Sequence, residues 1–277
     1  MSARPAAGHA PAGHTLAGRA PAGHYRFRHA ARMEWVKLRS LRSTWLTLAI
    51  TVAGAVAIGV TVGVNTRNAH GDLTNNALAG VVPGLLLAGV LGVLTMTGEY
   101  TSGMIRATLA AVPRRPRLLA AKAAVFAVVM LATGEAATFI SFFAGGLALQ
   151  HGITPPTLGQ PGVLRAVILS GTSFCLVGLL GLGLGAIIRN TAVAVTVLVG
   201  GVYVAAQFAA LIARTAFGYM PILIVANSLS TTKPETCGSG SSICPHFLSP
   251  WAGLAVLCLY AAVALAVGGW VFARRDA

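Results

Sequence analysis

Charged side chains are scarce in this sequence: Asp, Glu, Lys and Arg together make up 9% of the residues, whereas 56% are hydrophobic. The mean hydropathy is +0.76, and a soluble domain usually carries about 25% charged residues. So much apolar surface requires lipid. The 277 residues leave room for several spans of about 20 residues but not for a separate soluble catalytic domain.

The groups needed for catalysis are also missing. The long apolar runs contain no histidine and no aspartate, and intramembrane hydrolysis needs a nucleophile with a base or a metal with ligands. The sequence has neither the zinc-protease motif H-E-x-x-H nor the phosphate loop G-x-x-x-x-G-K-[ST]. We therefore expect no enzyme activity, no metal site and no cofactor in this chain, and any ATP would be bound by a partner.

The first 28 residues lack the apolar core of a signal peptide and consist mainly of Ala, Pro, Gly, His and Arg. The sequence Ala-Pro-Ala-Gly-His occurs at 10–14 and again at 20–24. This composition predicts a disordered basic tail, residues 1–28, before a membrane domain at 29–277. A metal site at His9, His14 and His24 is the weaker interpretation, because nothing fixes their geometry.

Apolar runs of spanning length predict an all-α membrane protein with six transmembrane helices. The predicted spans are 45–64, 78–97, 123–149, 165–188, 191–213 and 250–272. Sixteen of the 20 Lys and Arg residues flank one side of this arrangement. The positive-inside rule assigns that side to the cytoplasm. Both termini would therefore lie on the cytoplasmic side of a bacterial plasma membrane.

Residues 29–44 predict an interfacial helix that leads into the first span. One helical stripe holds Trp35, Leu38, Leu41 and Trp45, and another holds Arg32, Arg39 and Arg42. A simple basic anchor before the membrane, with no defined partner, is the alternative interpretation of this segment.

The predicted external loop between the last two spans contains a short apolar stretch, Phe217 to Leu229, that is too short to cross the hydrocarbon. Cys237 and Cys244 follow it around a Gly/Ser-rich turn. Because thiols on the outer side can oxidise and the spacer is flexible, the pair predicts a disulfide that pins this loop.

Glu135 is the one carboxylate well inside a predicted span, and burying it in lipid would cost several kcal/mol without a partner or water. It would either line a transport path or make a protonated or hydrogen-bonded contact between helices. Closely spaced glycines in several spans, such as Gly59 and Gly63, predict close helix packing within the chain or a dimer interface.

The cytoplasmic loop after the second span, residues 98–122, is more patterned than a tether requires. Glu99 and Gly103 would open a short amphipathic coupling helix that runs to Leu109, and Pro113 would end it. Arg114 and Arg115 would lie in the turn, and Lys122 would start the third span near the headgroups. A plain basic orientation signal is the alternative.

This loop resembles the signature of membrane subunits of type-two ABC exporters, the drug, antibiotic and polysaccharide export group. The matching positions are Glu99, Gly103, Ile105, Leu109, Pro113, Arg115, Leu118 and Lys122, whereas Met104 replaces the usual Thr. The run with Glu34, Trp35, Lys37, Leu38 and Arg39 is similar to the first helix of actinobacterial members of that group.

The resemblance implies a permease subunit that pairs with a second copy or a paralogue and with cytoplasmic subunits that bind ATP-Mg. Those subunits would dock on the 99–122 loop, Arg106 included, and against the interfacial helix. The cargo would be a hydrophobic or amphipathic small molecule, and no nucleic-acid partner is expected. A proton-coupled secondary transporter and a non-transporting anchoring or immunity protein are the alternatives.

Overall fold

The computed structural model describes residues 27–67, 71–105, 108, 115–204, 218–231 and 248–274. All regular secondary structure in these ranges is helical, which confirms the predicted all-α class for them. Five helices are long and apolar enough to cross a membrane: α2 (Arg42–Asn65), α4 (Val81–Thr101), α5 (Arg115–Leu147), α6 (Val163–Ile188) and α9 (Pro250–Arg274). The shorter ones are α1 (Phe27–Ser40), α3 (Leu73–Ala77), α7 (Thr191–Val199) and α8 (Pro221–Leu229).

The predicted span at 191–213 begins as α7. The side chain of Asn190 caps this helix by accepting a hydrogen bond from the backbone N–H of Val193 at 3.1 Å. A π-helical turn, Gly200–Val204, continues it. The remainder of this predicted span lies outside the described residues.

Helix α6 lies at the centre of the bundle and packs against α4, α5 and α9. Glycines on α6 and α4 permit this, because a Cβ added at Gly181 of α6 would collide with the carbonyl oxygen of Gly89, and one added at Gly92 of α4 would collide with that of Gly178. These glycines therefore serve packing within the chain. Gly200 and Gly201 have no such neighbours among the described residues, so this packing does not account for them.

The termini of the long helices gather at two opposite ends of the bundle. At one end, Arg115 Nη1 donates to the Phe272 carbonyl at 3.4 Å, and the Arg189 guanidinium lies 5.1 Å from the centre of the Tyr100 ring. At the other end, Gln150 Nε2 donates to the Val64 carbonyl at 3.1 Å. We call the first end, with Arg115 and Arg189, the basic end. We call the second, where Asp72 caps α3, the Asp72 end.

The predicted interfacial helix at 29–44 is interrupted in the structure. Helix α1 begins at Phe27, inside the predicted tail, and ends at Ser40, and Leu41 is extended with φ −84° and ψ 104° before α2 begins. Trp45 Nε1 donates to the Arg39 carbonyl at 3.2 Å across the break. The basic segment is therefore a separate helix joined to the first span by one extended residue.

The second span is longer at its basic end than predicted. Glu99, expected to open a cytoplasmic helix, belongs to the last turn of α4, which ends only at Thr101. The helix stops where Gly103 adopts a φ of +70°, a conformation that glycine accepts at little cost. Glu99 can remain in the span helix because two lysines neutralise it, as described next.

Candidate functional site: a charge cluster at the basic end

Four charged side chains from three helices meet at the basic end of the bundle. Glu34 and Lys37 come from α1, Glu99 from the end of α4, and Lys122 from the second turn of α5. We call these four residues the charge cluster. With two lysines and two glutamates it is neutral as a whole, and it ties the helix outside the bundle to two spanning helices.

Each lysine of the cluster contacts both glutamates. Lys122 Nζ lies 2.5 Å from Glu34 Oε2 and 2.7 Å from Glu99 Oε1. Lys37 Nζ lies 2.7 Å from the same oxygen of Glu99 and 3.2 Å from Glu34 Oε1. The second oxygen of Glu99 is buried without a hydrogen-bond partner among the described residues.

The cluster is shielded from solvent. Glu34 is 2% exposed, Lys122 6% and Glu99 7%, and Ala30 and Leu118 are buried nearby in the sequence. Removing two charges from water costs several kcal/mol per ion, which close pairing offsets. Removing one partner would leave a buried charge uncompensated, so the four side chains form an interdependent unit.

Lys37 connects the cluster to the loop after α4. Its Nζ donates to Thr108 Oγ1 at 3.2 Å, and Thr108 in turn donates to the Met104 carbonyl at 3.0 Å. Burial alone would lower the pKa of Lys37, but its hydrogen bond to Glu99 and the nearby charges of Glu34 and Glu99 outweigh burial and raise that pKa. Lys37 therefore stays protonated at neutral pH.

The sequence selected all four residues of the cluster but not their contact with one another. Glu99 and Lys122 were expected at the cytoplasmic surface, as a docking residue and a headgroup residue, and both are buried because they neutralise each other. A signal was present in the i, i+3 spacing of Glu34 and Lys37, which places opposite charges on one helix face. No pattern in the sequence indicated Thr108.

The other predicted site residues are dispersed at the same end. Gly103 is exposed, Ile105 is buried, and Arg115 bonds to α9. Trp35 and Arg39 are exposed on α1, whereas Leu38 is half-buried. Outside the described residues lie Arg106, Leu109, Pro113, Arg114, Cys237 and Cys244, so the coupling helix beyond Thr108 and the disulfide stay predictions.

Glu135 lies half-buried in the middle of α5, against α6. Thr172 Oγ1 donates to Glu135 Oε1 at 3.3 Å, and Oε2 is buried with no partner in the part of the chain that the structure describes. Gly171 makes room for the carboxylate, because a Cβ there would lie 2.5 Å from the carboxyl carbon of Glu135. The site is incompletely satisfied, and both predicted roles of Glu135 remain open.

At the Asp72 end, one carboxylate ties the segment before α3 to the segment after α8. Asp72 caps α3 by accepting from the Asn75 N–H at 3.0 Å, and it accepts from the Thr231 N–H at 2.6 Å and from Thr231 Oγ1 at 2.9 Å. Sequence reasoning did not select Asp72, although an aspartate three residues before an asparagine in a short polar segment is typical of a helix cap.

A cleft of about 720 Å³ opens between α6, the π-helical turn, α8 and α9. None of the described side chains in its walls is charged, and they include Leu180, Val197, Gly201, Met220, Tyr260 and Val263. Its size falls in the range of small-molecule sites, about 300–1,000 Å³. Within the described ranges, no group of three His, Cys, Asp or Glu side chains is placed to hold a metal ion.

Comparison with known proteins adds no family to these observations. A scan against models of protein families finds no match, and a search of curated proteins finds no significant match. What is established is a helical protein whose long apolar helices are suited to a membrane, with a buried charge cluster at one end.

Proposed function

We propose that the chain is the permease subunit of an ATP-driven exporter of the type-two ABC class. The observation that carries the proposal is the charge cluster. It joins the two segments on which the sequence resemblance rests, the N-terminal helix and the loop after the second span. In the proposed complex, ATP-binding subunits bind at the basic end, and a second permease copy or a paralogue completes the membrane part.

The cluster suggests how movement would be transmitted. A partner that pushed on the loop after Gly103 would move Thr108, which accepts a hydrogen bond from Lys37. Lys37 is bound to Glu99 at the end of α4 and lies on α1, so the displacement would reach a spanning helix and the helix beside it together. Coupling requires the ATP-binding subunits to bind one of two permease conformations more tightly than the other. The charge cluster would transmit their binding to the spanning helices, because its ion pairs hold α1 and α4 together.

The proposed topology has six spans with both termini in the cytoplasm. Helix α7 starts near the basic end, where Thr191 Oγ1 donates to Thr97 Oγ1 at 2.9 Å, and Tyr203 Oη donates to the Val82 carbonyl at 2.8 Å near the opposite end of α4. A helix that continued through 213 would complete a sixth pass. The basic end would then face the cytoplasm by the positive-inside rule.

The cleft between α6 and α9 supports a hydrophobic or amphipathic cargo, because the described side chains of its walls offer apolar contacts. A cargo of this kind would reach the cleft from the lipid phase. Export is the direction implied by the resemblance.

Co-purification with the ATP-binding subunits encoded in the same genome tests this proposal. The variant Met104→Asp places a charge on the first helical residue after Gly103, 47% exposed, without touching the buried cluster. The matched control is Leu147→Asp, at the far end of α5 and 86% exposed. We expect the wild type and the control to retain an ATPase partner and Met104→Asp to lose it. Failure of every ATP-binding subunit to bind the wild type would refute the proposal.

Glu135 favours a second candidate function, proton-coupled transport without an ATPase. A carboxylate with one unpartnered buried oxygen in mid-membrane is a site where a proton can bind and leave. In proteoliposomes with a pH gradient and no ATP, this function requires cargo uptake that Glu135→Gln abolishes. Gly171→Ala, which displaces the same carboxylate without changing it, should then impair uptake as well. Absence of gradient-driven uptake in the wild type would exclude this alternative.

A further inference from the structure

Helix α1 leaves an apolar groove against the outer face of α5. The groove has a volume of about 390 Å³, and its lining consists of Ala31, Arg32, Trp35, Ala124, Val125 and Val128. It lies on a different face of α1 from the charge cluster, because Glu34 is buried whereas Arg32 and Trp35 are exposed. The groove is therefore separate from the contacts that hold α1 to the bundle.

Among the described lining residues, Arg32 alone is charged. It is exposed and forms no hydrogen bond or ion pair with the described part of the chain. Arg28, four residues before it, and Arg39, seven after it, share its helical stripe and are also exposed. Glu34, the acidic residue of α1, forms ion pairs with Lys37 and Lys122 in the charge cluster rather than with Arg32. The rim of the groove thus has a positive charge that pairs with no described residue of the chain.

The floor of the groove lies deeper than its charged rim. Ala124 and Val128 follow Lys122 by two and six residues along α5, which is about 3 Å and 9 Å deeper into the span at 1.5 Å per residue. Val128 is 66% exposed. A ligand that fits this arrangement has an anionic head at the level of α1 and a hydrocarbon chain that runs along α5.

We propose that the groove binds one anionic phospholipid, with its phosphate on Arg32 and one acyl chain on Ala124, Val125 and Val128. The Trp35 ring, 43% exposed, covers the glycerol region, where an indole is stable between apolar and polar surroundings. An overall neutral headgroup fits less well, because its amine would meet the arginines of the same stripe. The guanidinium and the phosphate form paired, charge-assisted hydrogen bonds.

Binding of the lipid holds α1 against the bundle. The described walls of the groove belong to α1 and α5, so a bound lipid contacts both and favours the docked position of α1. A ligand that binds only this arrangement stabilises it in proportion to its occupancy. The anionic content of the membrane then sets how firmly α1 is docked, whatever partner binds at the basic end.

The first test measures retained lipid. The full chain is placed in nanodiscs of phosphatidylcholine alone or of equal parts phosphatidylcholine and phosphatidylglycerol, released into mild detergent, and analysed by native mass spectrometry. We expect one phosphatidylglycerol to stay bound to the wild type and Arg32→Gln to retain it about fivefold less, as expected for the loss of one basic contact at an anionic surface. The control Arg274→Gln removes an equal charge on α9, which does not border the groove.

The second test addresses the acyl chain. Ala124→Phe fills the floor of the groove while every charge stays in place, and Ala132→Phe adds the same ring at an exposed position further along α5. We expect the first variant, but not the second, to lose the bound lipid. Equal loss in Arg32→Gln and Arg274→Gln would overturn the proposal in favour of general charge attraction. Equal retention of phosphatidylcholine, or no loss in Ala124→Phe, would overturn it as well.

Discussion

The glutamates of the charge cluster and Glu135 belong to the same bundle but have different partners. Glu34 and Glu99 each contact two lysines and are almost inaccessible to solvent. Glu135 accepts one bond from a threonine hydroxyl and leaves its other oxygen without a described partner. The paired carboxylates hold helices in place, whereas the half-satisfied one can accept a proton or a further hydrogen bond.

Asp72 shows a third arrangement. Its carboxylate accepts hydrogen bonds from neutral donors, two of them on Thr231, and these bonds tie the segment before α3 to the segment after α8. The ion pairs of the charge cluster, by contrast, join three helices. The described contacts of the three sites therefore differ in the charge of the donors as well as in their number.

Removing a lysine from the charge cluster should cause the largest loss of stability. Lys122→Met should destabilise the protein by about 3–5 kcal/mol, because Glu34 and Glu99 would share one remaining lysine in a buried place. Thermal unfolding in detergent measures this. Arg117→Met, an exposed change in the first turn of the same helix, should alter stability by about 0.5 kcal/mol or less. Similar losses in both variants would mean that the cluster is not an interdependent unit.

Replacing glutamate by glutamine should cost more stability at Glu34 than at Glu135. Glu34→Gln should cost about 1–3 kcal/mol, since the buried Lys122 and the half-buried Lys37 would then share Glu99. Glu135→Gln should cost less than about 1 kcal/mol, because the amide keeps the bond from Thr172 and no ion pair is lost. Unfolding temperatures of the two variants, measured side by side, give the order. If Glu135→Gln proves the more harmful, Glu135 has a structural partner that its described contacts do not include.

The smallest effect concerns pH. The pKa of Lys37 is raised above its ordinary value of 10.5 by its contacts with Glu99 and Glu34. Its contribution to stability is therefore complete below that value and disappears as the pH rises through the folded-state pKa. Between neutral pH and the ordinary lysine pKa, the stability difference between the wild type and Lys37→Met should stay constant, and it should shrink above that range. Unfolding temperature against pH measures it, and a difference that changes near neutral pH would contradict this assignment.

Much of the architecture was predictable from patterns within short segments. Apolar runs located the five long helices to within about eight residues at each end, since the number of apolar residues needed to cross a bilayer is fixed by its thickness. The errors have local causes. The third span starts at Arg115 rather than 123, and the second extends to Thr101, because Lys122 and Glu99 neutralise each other and no longer need to lie outside the helices.

The candidate site was predictable only in part. The residues Glu34, Lys37, Glu99 and Lys122 were selected singly, from a resemblance and from their place beside apolar runs. Their mutual contact joins positions up to 88 residues apart, and no periodicity in the sequence carries information over that distance. The sequence therefore predicted that these charges bind partners and lipid headgroups, whereas in the structure they form ion pairs with one another.

By itself, the sequence determined that this protein is helical and suited to a membrane, because hydrophobicity and helical periodicity are local properties that each segment expresses alone. Only the tertiary structure decided which of its few charges are consumed in the interior and which stay available. That depends on how α1, α4 and α5 meet, and burial makes the energy of each charge a property of its neighbours in space rather than in sequence. The buried cluster, the half-satisfied Glu135 and the exposure of Arg32, which pairs with no described residue, are all consequences of that packing.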